Sequence, residues 1–444
     1  MHIASGAAHR RGIVLIWGLA LVGCAAPETA RPSPTPSAAA PIAETPTAAA
    51  TQAAGPTTTP ESSEMALVVW TVEHVAAQSE TPGGETLLEQ LAAFDDIRPD
   101  IQVEFYIKRQ TGEGSTLEYL RTAPLVAPDI LPDIALLDRA SLIQAARESL
   151  IVPIGPMLDP APSDLYPVAG ALGSVDGEMV GLPYVMDTQH VAYRQAYFDT
   201  EPPVSYGAIL EGPTVYAFPA GSTSGVNVTT LTQYLAAGGS LTDPEGAPQL
   251  DSAVLATVLT FYDQAWEGGT LAPEIFQMSG PEDTWALYRG GQTGIADVTA
   301  SLYLTERGRV RTTGLCWIPT QDGRPFALVS GWSWVIVTQD PERQEAALAL
   351  IAYLMQPVNQ GDYTLAAHYL PSQRSALAVW GNDPYAVFAD TLLESAVPIP
   401  EEAALRPVSD ALQDAVEAVL LRDALPAQAA AQAAETVSTS PTAP

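Results

Sequence analysis

Aromatic and hydroxyl side chains close the first predicted strand, where they could recognise a small polar molecule. Trp70 and Thr71 end an apolar run that begins at Ala66. An indole ring offers a flat surface to a ring-shaped ligand, and a hydroxyl can bond the polar edge of that ligand. Trp70 could equally be a core residue, because large apolar side chains are usually buried. Glu73 follows in the next loop, either as an acceptor for ligand hydroxyls or as a solvated charge.

Ser222 is a second candidate for ligand contact. It lies in a Gly- and Ser-rich stretch between a predicted strand, residues 214–218, and a predicted helix, residues 229–237. Small hydroxyls and free backbone N–H groups at the start of a helix can receive hydroxyls or anions. The same residues are also typical of simple helix capping, and both interpretations stay open.

Motifs of the common catalytic mechanisms are missing from the sequence. Lys108 is the only lysine and does not belong to a phosphate-binding loop, and the Gly112-Glu113-Gly114 stretch lacks the third glycine of a dinucleotide site. No two histidines have the i, i+4 spacing of a helical zinc site. The histidines are His2, His9, His74, His190 and His368. We therefore expect no enzyme activity, no cofactor and no metal.

Charge and length limit the classes of partner. The chain has 444 residues, 47% of them hydrophobic, and a formal net charge of −32 at pH 7. So acidic a surface repels nucleic acid and anionic lipid, because both bind proteins mainly through phosphate neutralisation. We expect a soluble protein of two or three domain-sized units that does not bind nucleic acid.

The N-terminus predicts export. Arg10 and Arg11 precede an apolar run from Gly12 to Gly23, which is shorter than the roughly 20 residues that a membrane-spanning helix needs. Residues 1–23 are therefore predicted to be a signal peptide. Leu-Val-Gly-Cys24 resembles the lipobox of bacterial lipoproteins, in which the cysteine carries the lipid; the alternative is an ordinary signal peptide with an incidental cysteine.

Residues 24–64 are predicted to be a stalk. They are almost entirely Ala, Pro, Thr and Ser, a composition that cannot bury enough apolar surface to fold. Cys316 has no partner if Cys24 is lipidated, which excludes a disulfide framework. Cys316 stands in an apolar stretch and is expected to be a buried, unreactive side chain.

Strands and helices alternate from Met65 onward. Strands are predicted at 66–71, 101–105 and 133–137, and helices at 86–94, 115–127 and 140–147. This order, with apolar strands, is typical of an α/β layer around a mainly parallel sheet. A second series has strands near 191–193, 214–218, 294–298 and 332–337 and helices near 229–237, 253–267, 281–288, 341–355, 409–422 and 426–437. Residues 438–444 are expected to be disordered.

The order of short segments resembles the extracellular solute-binding proteins of ABC importers, in the broad sugar-binding group that includes maltose-binding protein. The resemblance covers about residues 65–437. Its pieces are Leu67-Val68-Val69-Trp70, Pro132-Asp133-Ile134-Ala135, Gly181-Leu182-Pro183-Tyr184, Gly238-Gly239-Ser240-Leu241, Gly290-Gly291-Gln292-Thr293-Gly294, Gly331-Trp332-Ser333-Trp334 and the helix 346–355. One departure is Tyr193-Arg194, where the family usually has Tyr-Asn.

The resemblance implies a two-lobe, type II periplasmic-binding fold with a ligand cleft between lobes that close as a hinge. Lobe 1 would hold about 65–187 and 297–326, and lobe 2 about 190–292 and 332–437. The chain would cross between them near 185–192, 292–298 and 325–332. Open α/β sheets bind ligands beyond the carboxyl ends of their strands, which places the cleft at the same edge.

The resemblance also implies further ligand-binding residues. Asp138 follows the third strand, where the family often has a polar contact, although it could simply pair with Arg139 on the surface. Asp187 would lie on the cleft floor, in the first crossing. Tyr303 and Trp332 match positions where the family often has aromatics, and Trp334 would point to the same face as Trp332.

The sequence and the resemblance thus predict a monomeric, lipid-anchored receptor that captures a small solute, with a carbohydrate as the expected class, and delivers it to ABC transporter permease subunits. It would attach to the outer face of the bacterial cell membrane only through lipid on Cys24. Two alternatives remain: a stalk-anchored cell-surface hydrolase with dispersed carboxylates, and a ligand receptor for a sensor kinase.

Overall fold

The computed structural model describes residues 65–78, 80–126, 130–158, 163–198, 201–222 and 224–439. Its strands are β1 (Met65–Val72), β2 (Ile101–Lys108), β3 (Ile134–Asp138), β4 (Ser174–Val175), β5 (Glu178–Met179), β6 (Leu182–Arg194), β7 (Tyr216–Ala217), β8 (Ile295–Thr299), β9 (Thr313–Cys316), β10 (Ala327–Ile336), β11 (Leu370–Pro371) and β12 (Ala396–Pro398).

The helices are α1 (Gly84–Ile97), α2 (Thr116–Val126), α3 (Arg139–Arg147), α4 (Pro167–Leu172), α5 (Tyr206–Leu210), α6 (Val228–Ala236), α7 (Ser252–Glu267), α8 (Pro281–Gly290), α9 (Ala300–Glu306), α10 (Pro341–Leu354), α11 (Pro357–Ala367), α12 (Arg374–Ala378), α13 (Pro384–Glu394), α14 (Glu402–Leu420) and α15 (Pro426–Thr439). Within the described ranges, none of these helices is long and apolar enough to cross a membrane.

The first lobe is an α/β layer around β1. Strands β2, β1 and β3 are parallel neighbours, and β10 runs antiparallel beside β3. Apolar side chains cover both faces of this sheet: Leu67 and Leu136 belong to one hydrophobic cluster, and Trp70 and Ala135 to the other. Burial on both faces explains why these strands read as continuous apolar runs in the sequence.

The second lobe has its own hydrophobic core. The far half of β6 pairs with β8 and β9, and β8 pairs with β7. Helices α6, α7, α8, α14 and α15 supply most of the remaining apolar side chains of this core. Asp251 caps α7 by accepting hydrogen bonds from the backbone N–H groups of Ala253 and Val254, which fixes where α7 begins.

Two long strands join the lobes. On β6, Met186 belongs to the first core and Val191 to the second. On β10, Leu328 belongs to the second core and Val329 to the first. A third passage follows β12, which pairs with the start of β10. The crossings expected near 185–192 and 325–332 are therefore present.

Two other segments lie in a different lobe from the one that the sequence predicts. Residues 313–318, expected in lobe 1, pair with β6 and lie in the second core. Residues 332–396, expected in lobe 2, supply β10, α10, α11 and α13 to the first core. The crossing expected near 292–298 lies instead after Thr299, because Val298 is in the second core and Ala300 in the first. These assignments depend on long-range packing that local patterns do not carry.

Both ends of the chain lie outside the described residues. The predicted signal peptide, Cys24 and the predicted stalk lie there, as do residues 440–444. Ser438 and Thr439, expected in a disordered tail, continue helix α15. Cys316 is buried, as expected, and has no disulfide partner among the described residues.

Candidate functional site

One edge of the first lobe gathers the ends of several strands. Because β1, β2 and β3 are parallel, their carboxyl ends meet there. Strand β6 runs in the same direction as β3, since both are antiparallel to β10, and it passes this edge into the second lobe. In the second lobe Thr299, the last residue of β8, pairs with Gln189 and so lies beside the same crossing. The cleft between the lobes is therefore bounded by strand ends from both sides.

An aromatic group lies at this edge. The His74 ring is 4.4 Å from the Trp332 ring, edge to face, and both lie near Tyr369, at 5.8 Å and 6.1 Å between ring centroids. Trp332 is opposite Asp138 on β3 and Val185 on β6. Its ring is partly exposed, whereas that of Trp334 is fully buried in the first core.

Two nitrogen atoms of this aromatic group have no hydrogen-bond partner among the described residues. They are Nε2 of His74 and Nε1 of Trp332, both buried. Buried polar groups in proteins are usually paired, so unpaired nitrogens at a cleft indicate a place for a ligand or water. Burial lowers the pKa of His74, although the nearby Glu73 carboxylate acts to raise it. The ring is therefore uncharged at neutral pH. The group therefore offers neutral hydrogen-bonding atoms beside aromatic surfaces.

Asp187 places a carboxylate next to the aromatic group. Oδ1 accepts hydrogen bonds from the backbone N–H of Thr188 at 2.9 Å and of Ser301 at 3.1 Å, and Oδ2 accepts one from the Ser301 hydroxyl. Burial raises the pKa of Asp187 to about 6, although these hydrogen bonds oppose the shift. Burial and the Asp187 carboxylate both raise the pKa of Tyr369. Asp187 thus connects the aromatic group on one side with the start of α9 on the other.

A cavity of about 280 Å³ adjoins Trp332 at the crossing. Asp138, Arg139 and Glu401 are among its lining residues. Asp138 caps α3 through Oδ1, which accepts the Ser141 N–H at 2.9 Å. Arg139 is held by carbonyl oxygens, with its Nη1 2.7 Å from that of Ala171. The rim of the cavity thus carries fixed charges of both signs.

Trp70 and Thr71 are placed in the core, not in the cleft. Trp70 is 2% exposed and packs with the second apolar face of the first sheet. Thr71 is fully buried, and its hydroxyl donates to the Val75 carbonyl at 2.7 Å. The reason is that Trp70 lies on the sheet face that α2 covers. Thr71 is turned toward the short helical turn at residues 73–75, which follows it in the chain. Glu73, in the following turn, is exposed.

Tyr303 and Ser222 lie apart from the aromatic group. The Tyr303 ring stacks on Tyr385 at 5.3 Å and meets the buried His190 edge to face. Tyr303 touches both cores, so it packs where α9 separates the lobes. Ser222 is 8% exposed in a second-lobe loop that Gly221 ties to the segment after α7.

Sequence reasoning did not select His74, Tyr369, Ser301 or Glu401. His74 follows Glu73, so the sequence pointed to this loop as part of the site but not to His74 as its contacting residue. Tyr369 follows a residue with left-handed backbone, His368, and nothing in the local pattern marks it as a cleft residue. Within the described residues no three His, Cys, Asp or Glu side chains converge to hold a metal ion.

Comparison with known proteins identifies similar chains. The family model of the bacterial extracellular solute-binding proteins matches residues 100–389. No curated protein sequence matches the chain.

Solved structures of the same kind match almost along their whole lengths. The sugar-binding protein MalE of Xanthomonas citri is 21% identical, with a TM-score of 0.69 over 84% of this chain and 96% of that one. The cyclic alpha-maltosyl-1,6-maltose binding protein of Arthrobacter globiformis is 17% identical, with a TM-score of 0.67 over 84% and 98%. Maltose-bound MalE3 of T. maritima is 20% identical, with a TM-score of 0.64 over 84% and 99%. These likenesses confirm the fold as α/β, two-lobe and of the type II periplasmic-binding kind.

Proposed function

The chain belongs to the bacterial extracellular solute-binding proteins, and on this premise we propose that it captures a carbohydrate and delivers it to the permease of an ABC importer. The solute binds between the lobes, the lobes close, and the closed form docks on the permease. The protein itself catalyses no reaction.

The aromatic group beside Asp187 is the observation that carries the carbohydrate assignment. A sugar combines apolar ring faces with a rim of hydroxyls. Aromatic surfaces suit the faces, and the unpaired nitrogens of His74 and Trp332 together with the Asp187 carboxylate suit the hydroxyls. The matched structures with maltose and cyclic maltosyl-maltose in their descriptions support the same class of ligand.

The experiment is a calorimetric titration with a panel of neutral saccharides from monosaccharide to pentasaccharide. Trp332→Ala should weaken the best binder by about 1–3 kcal/mol, the usual scale for a lost aromatic anchor. Trp266→Ala is the matched control, because Trp266 is also partly exposed but packs against Phe276 in the second lobe. Absence of binding to every saccharide, or an equal loss in both variants, would contradict the proposal.

Anchoring through Cys24 is part of the proposal and is tested separately. Cys24→Ala should yield a chain without lipid that leaves the membrane fraction, since a single apolar run of this length cannot hold it there. Mass spectrometry of the N-terminal peptide gives the modification directly. If Cys24 is unmodified in the wild type and Cys24→Ala stays in the membrane fraction, the proposed lipid anchor is wrong. The proposed carbohydrate binding would be unaffected.

A further inference from the structure

Asp187 is a carboxylate without a counter-charge. Protein encloses it, yet the residue keeps partial solvent exposure, so a ligand can reach it. Its hydrogen-bond donors are neutral: the Thr188 N–H, the Ser301 N–H and the Ser301 hydroxyl. Among the residues that the structure describes, no arginine, lysine or histidine forms an ion pair with it. Charges enclosed by protein are usually paired, so a cation from the ligand would supply the missing partner.

The cations nearest to this region are engaged elsewhere. Nη1 of Arg139 donates to the carbonyl oxygens of Ala171, at 2.7 Å, and of Leu172, at 2.9 Å. Arg307, directly after α9, forms an ion pair with Asp383 at 2.6 Å. Neither guanidinium is therefore held for the Asp187 carboxylate.

Carboxylates outnumber cations in the cavity beside Trp332. Arg139 is the one basic residue that lines it, against three acidic residues, which are Asp138, Glu401 and Glu402. His74 adds no positive charge, because burial lowers its pKa. The local charge and the net charge of −32 both attract cationic ligands and repel anionic ones.

The aromatic group suits a cation as well as a sugar ring. The rings of His74, Trp332 and Tyr369 are all partly exposed and lie 4.4–6.1 Å from one another. The faces of tryptophan and tyrosine attract ammonium groups within roughly 6 Å of the ring centroid. Several such rings beside a carboxylate are a common setting for a protonated amine.

Strand pairing brings the Asp187 carboxylate and the Trp332 ring to the same face. Asp187 lies opposite Ser330 on β10, and Trp332 follows Ser330 by two residues. Asp187 and Trp332 are thus diagonal cross-strand neighbours, which are about 7–8 Å apart. One ammonium group can therefore donate to the carboxylate at about 2.8 Å and lie within roughly 6 Å of the indole.

We propose that the site selects an amino sugar, a saccharide in which a protonated amine replaces a hydroxyl. This inference rests on the proposed carbohydrate function and names the class of sugar. The amine donates to Asp187 and lies against the Trp332 ring. The remaining hydroxyls of the sugar meet the unpaired nitrogens of His74 and Trp332.

The test compares sugars that differ only in the amine. Glucosamine, galactosamine, mannosamine and the β-1,4-linked di- and trisaccharides of glucosamine are titrated into the full chain at pH 7. Each is compared with its N-acetylated and its hydroxyl counterpart, which are neutral. We expect the best-binding amine to bind at least tenfold more tightly than both of its counterparts. This comparison uses the wild type and so does not depend on the folding of any variant.

Asp187→Asn tests the carboxylate, because it keeps the shape of the side chain and removes its charge. We expect the advantage of the amine to fall to about twofold or less, while affinity for the neutral counterparts changes much less. Glu245→Gln is the control, since Glu245 is exposed in the segment between α6 and α7 and its loss changes the net charge equally. It should leave the advantage of the amine intact.

The outcomes separate this inference from the carbohydrate function. Neutral counterparts that bind as tightly as the amines would overturn the amino-sugar specificity alone. An advantage that survives in Asp187→Asn, or that falls equally in Glu245→Gln, would also overturn it, because the attraction would then not come from Asp187. Failure of every saccharide, neutral or aminated, would overturn both proposals, as would binding of spermidine in the absence of any saccharide binding.

Discussion

Trp70 on β1 and Trp332 on β10 show how the same residue type takes different roles in two strands of one sheet. Trp70 lies in the middle of a layer formed by α2 and the sheet, whereas Trp332 lies three residues after Val329, where β10 enters the first core. Both are tryptophans next to polar residues in the sequence. Only the covering helix distinguishes them.

Trp70→Ala should therefore destabilise the protein. Removing a fully buried tryptophan leaves a cavity and costs about 3–5 kcal/mol of unfolding free energy. Equilibrium urea unfolding gives the value, and Trp332→Ala, with a partly exposed ring, should lose clearly less. If the two variants were equally stable and Trp70→Ala bound ligand poorly, Trp70 would be a ligand contact after all.

Asp297 makes stability depend on pH. It is fully buried and accepts hydrogen bonds from Tyr216, at 2.7 Å, Thr229 and Gln189. Burial raises its pKa to about 7 against these hydrogen bonds. A pKa above the unfolded value means that the folded state binds the proton more tightly, so this stabilisation is present in acid and is lost as pH rises from about 4 through about 7.

The expected outcome is that the wild type loses melting temperature relative to Asp297→Asn, which cannot titrate, between about pH 4 and about pH 7. The buried His190, whose pKa is lowered to about 3, acts in the opposite direction in both chains and cancels in this comparison. Asp187 also lowers the stability of the folded protein as pH rises, because burial raises its pKa to about 6. Calorimetry of both chains at several pH values measures the difference. Asp322→Asn, at an exposed position, should keep the full slope; an unchanged slope in Asp297→Asn would contradict the assignment to Asp297.

At the scale of elements, strand β10 shows a close approach that only glycine allows. A Cβ on Gly331 would lie 2.8 Å from the Val185 carbonyl oxygen and 3.3 Å from Leu172 Cδ1. Gly331 pairs with Met186 in the crossing, so the backbone of β6 would have to move. Glycine at this point keeps the two joining strands in contact.

Gly331→Ala should accordingly cost about 1–3 kcal/mol of unfolding free energy, the usual range for overpacking. Gly170→Ala is the opposite case, because its Cβ would meet no atom within 4 Å and it lies inside helix α4. The Gly170→Ala variant should gain about 0.5–1 kcal/mol of unfolding free energy, because alanine favours the helix more than glycine does. Chemical denaturation of the two variants provides the comparison, and a stabilised Gly331→Ala would rule out the close approach.

Local patterns predicted most elements but not their membership in a lobe. The helices near 253–267 and 341–355 carry clear caps, Asp251 and Asp340, and were placed within one residue of α7 and α10. No helix was predicted between 356 and 408, where α11 and α13 occur. Gly361 inside α11 makes that helix look like a loop, although the glycine is buried against α12. Which lobe α10 to α13 join depends on contacts with β1 and β6 that single-sequence patterns do not contain.

The candidate site was predictable to the same extent. Asp138, Asp187 and Trp332 were found because each marks a strand end or a crossing. Tyr369 was not, because it directly precedes β11, a two-residue strand that pairs with β6, which is distant in the sequence. The ligand-binding roles of these residues remain predictions until binding is measured.

At the scale of the whole molecule, the lobes are joined by paired backbone and by side chains that contact both cores, such as Tyr303. β6, β10, the segment after Thr299 and the passage after β12 are among the crossings, and Arg147 of α3 reaches Glu401, before α14, at 3.2 Å. Both partners of this ion pair are about half exposed, and such pairs contribute about 0–1 kcal/mol. Two separate cores that are connected by chain crossings can move relative to each other about those crossings.

Ligand binding should therefore make the protein more compact. A saccharide that contacts Trp332 and Asp187 in the first lobe can also meet groups at the second lobe's edge, so it stabilises the closed form over the open one. Small-angle X-ray scattering should show a smaller radius of gyration with a saturating saccharide than without, and Trp332→Ala should require more saccharide for the same change. A saccharide that binds tightly while the scattering curve stays the same would show that recognition involves one lobe alone, and the hinge would then have no role in capture.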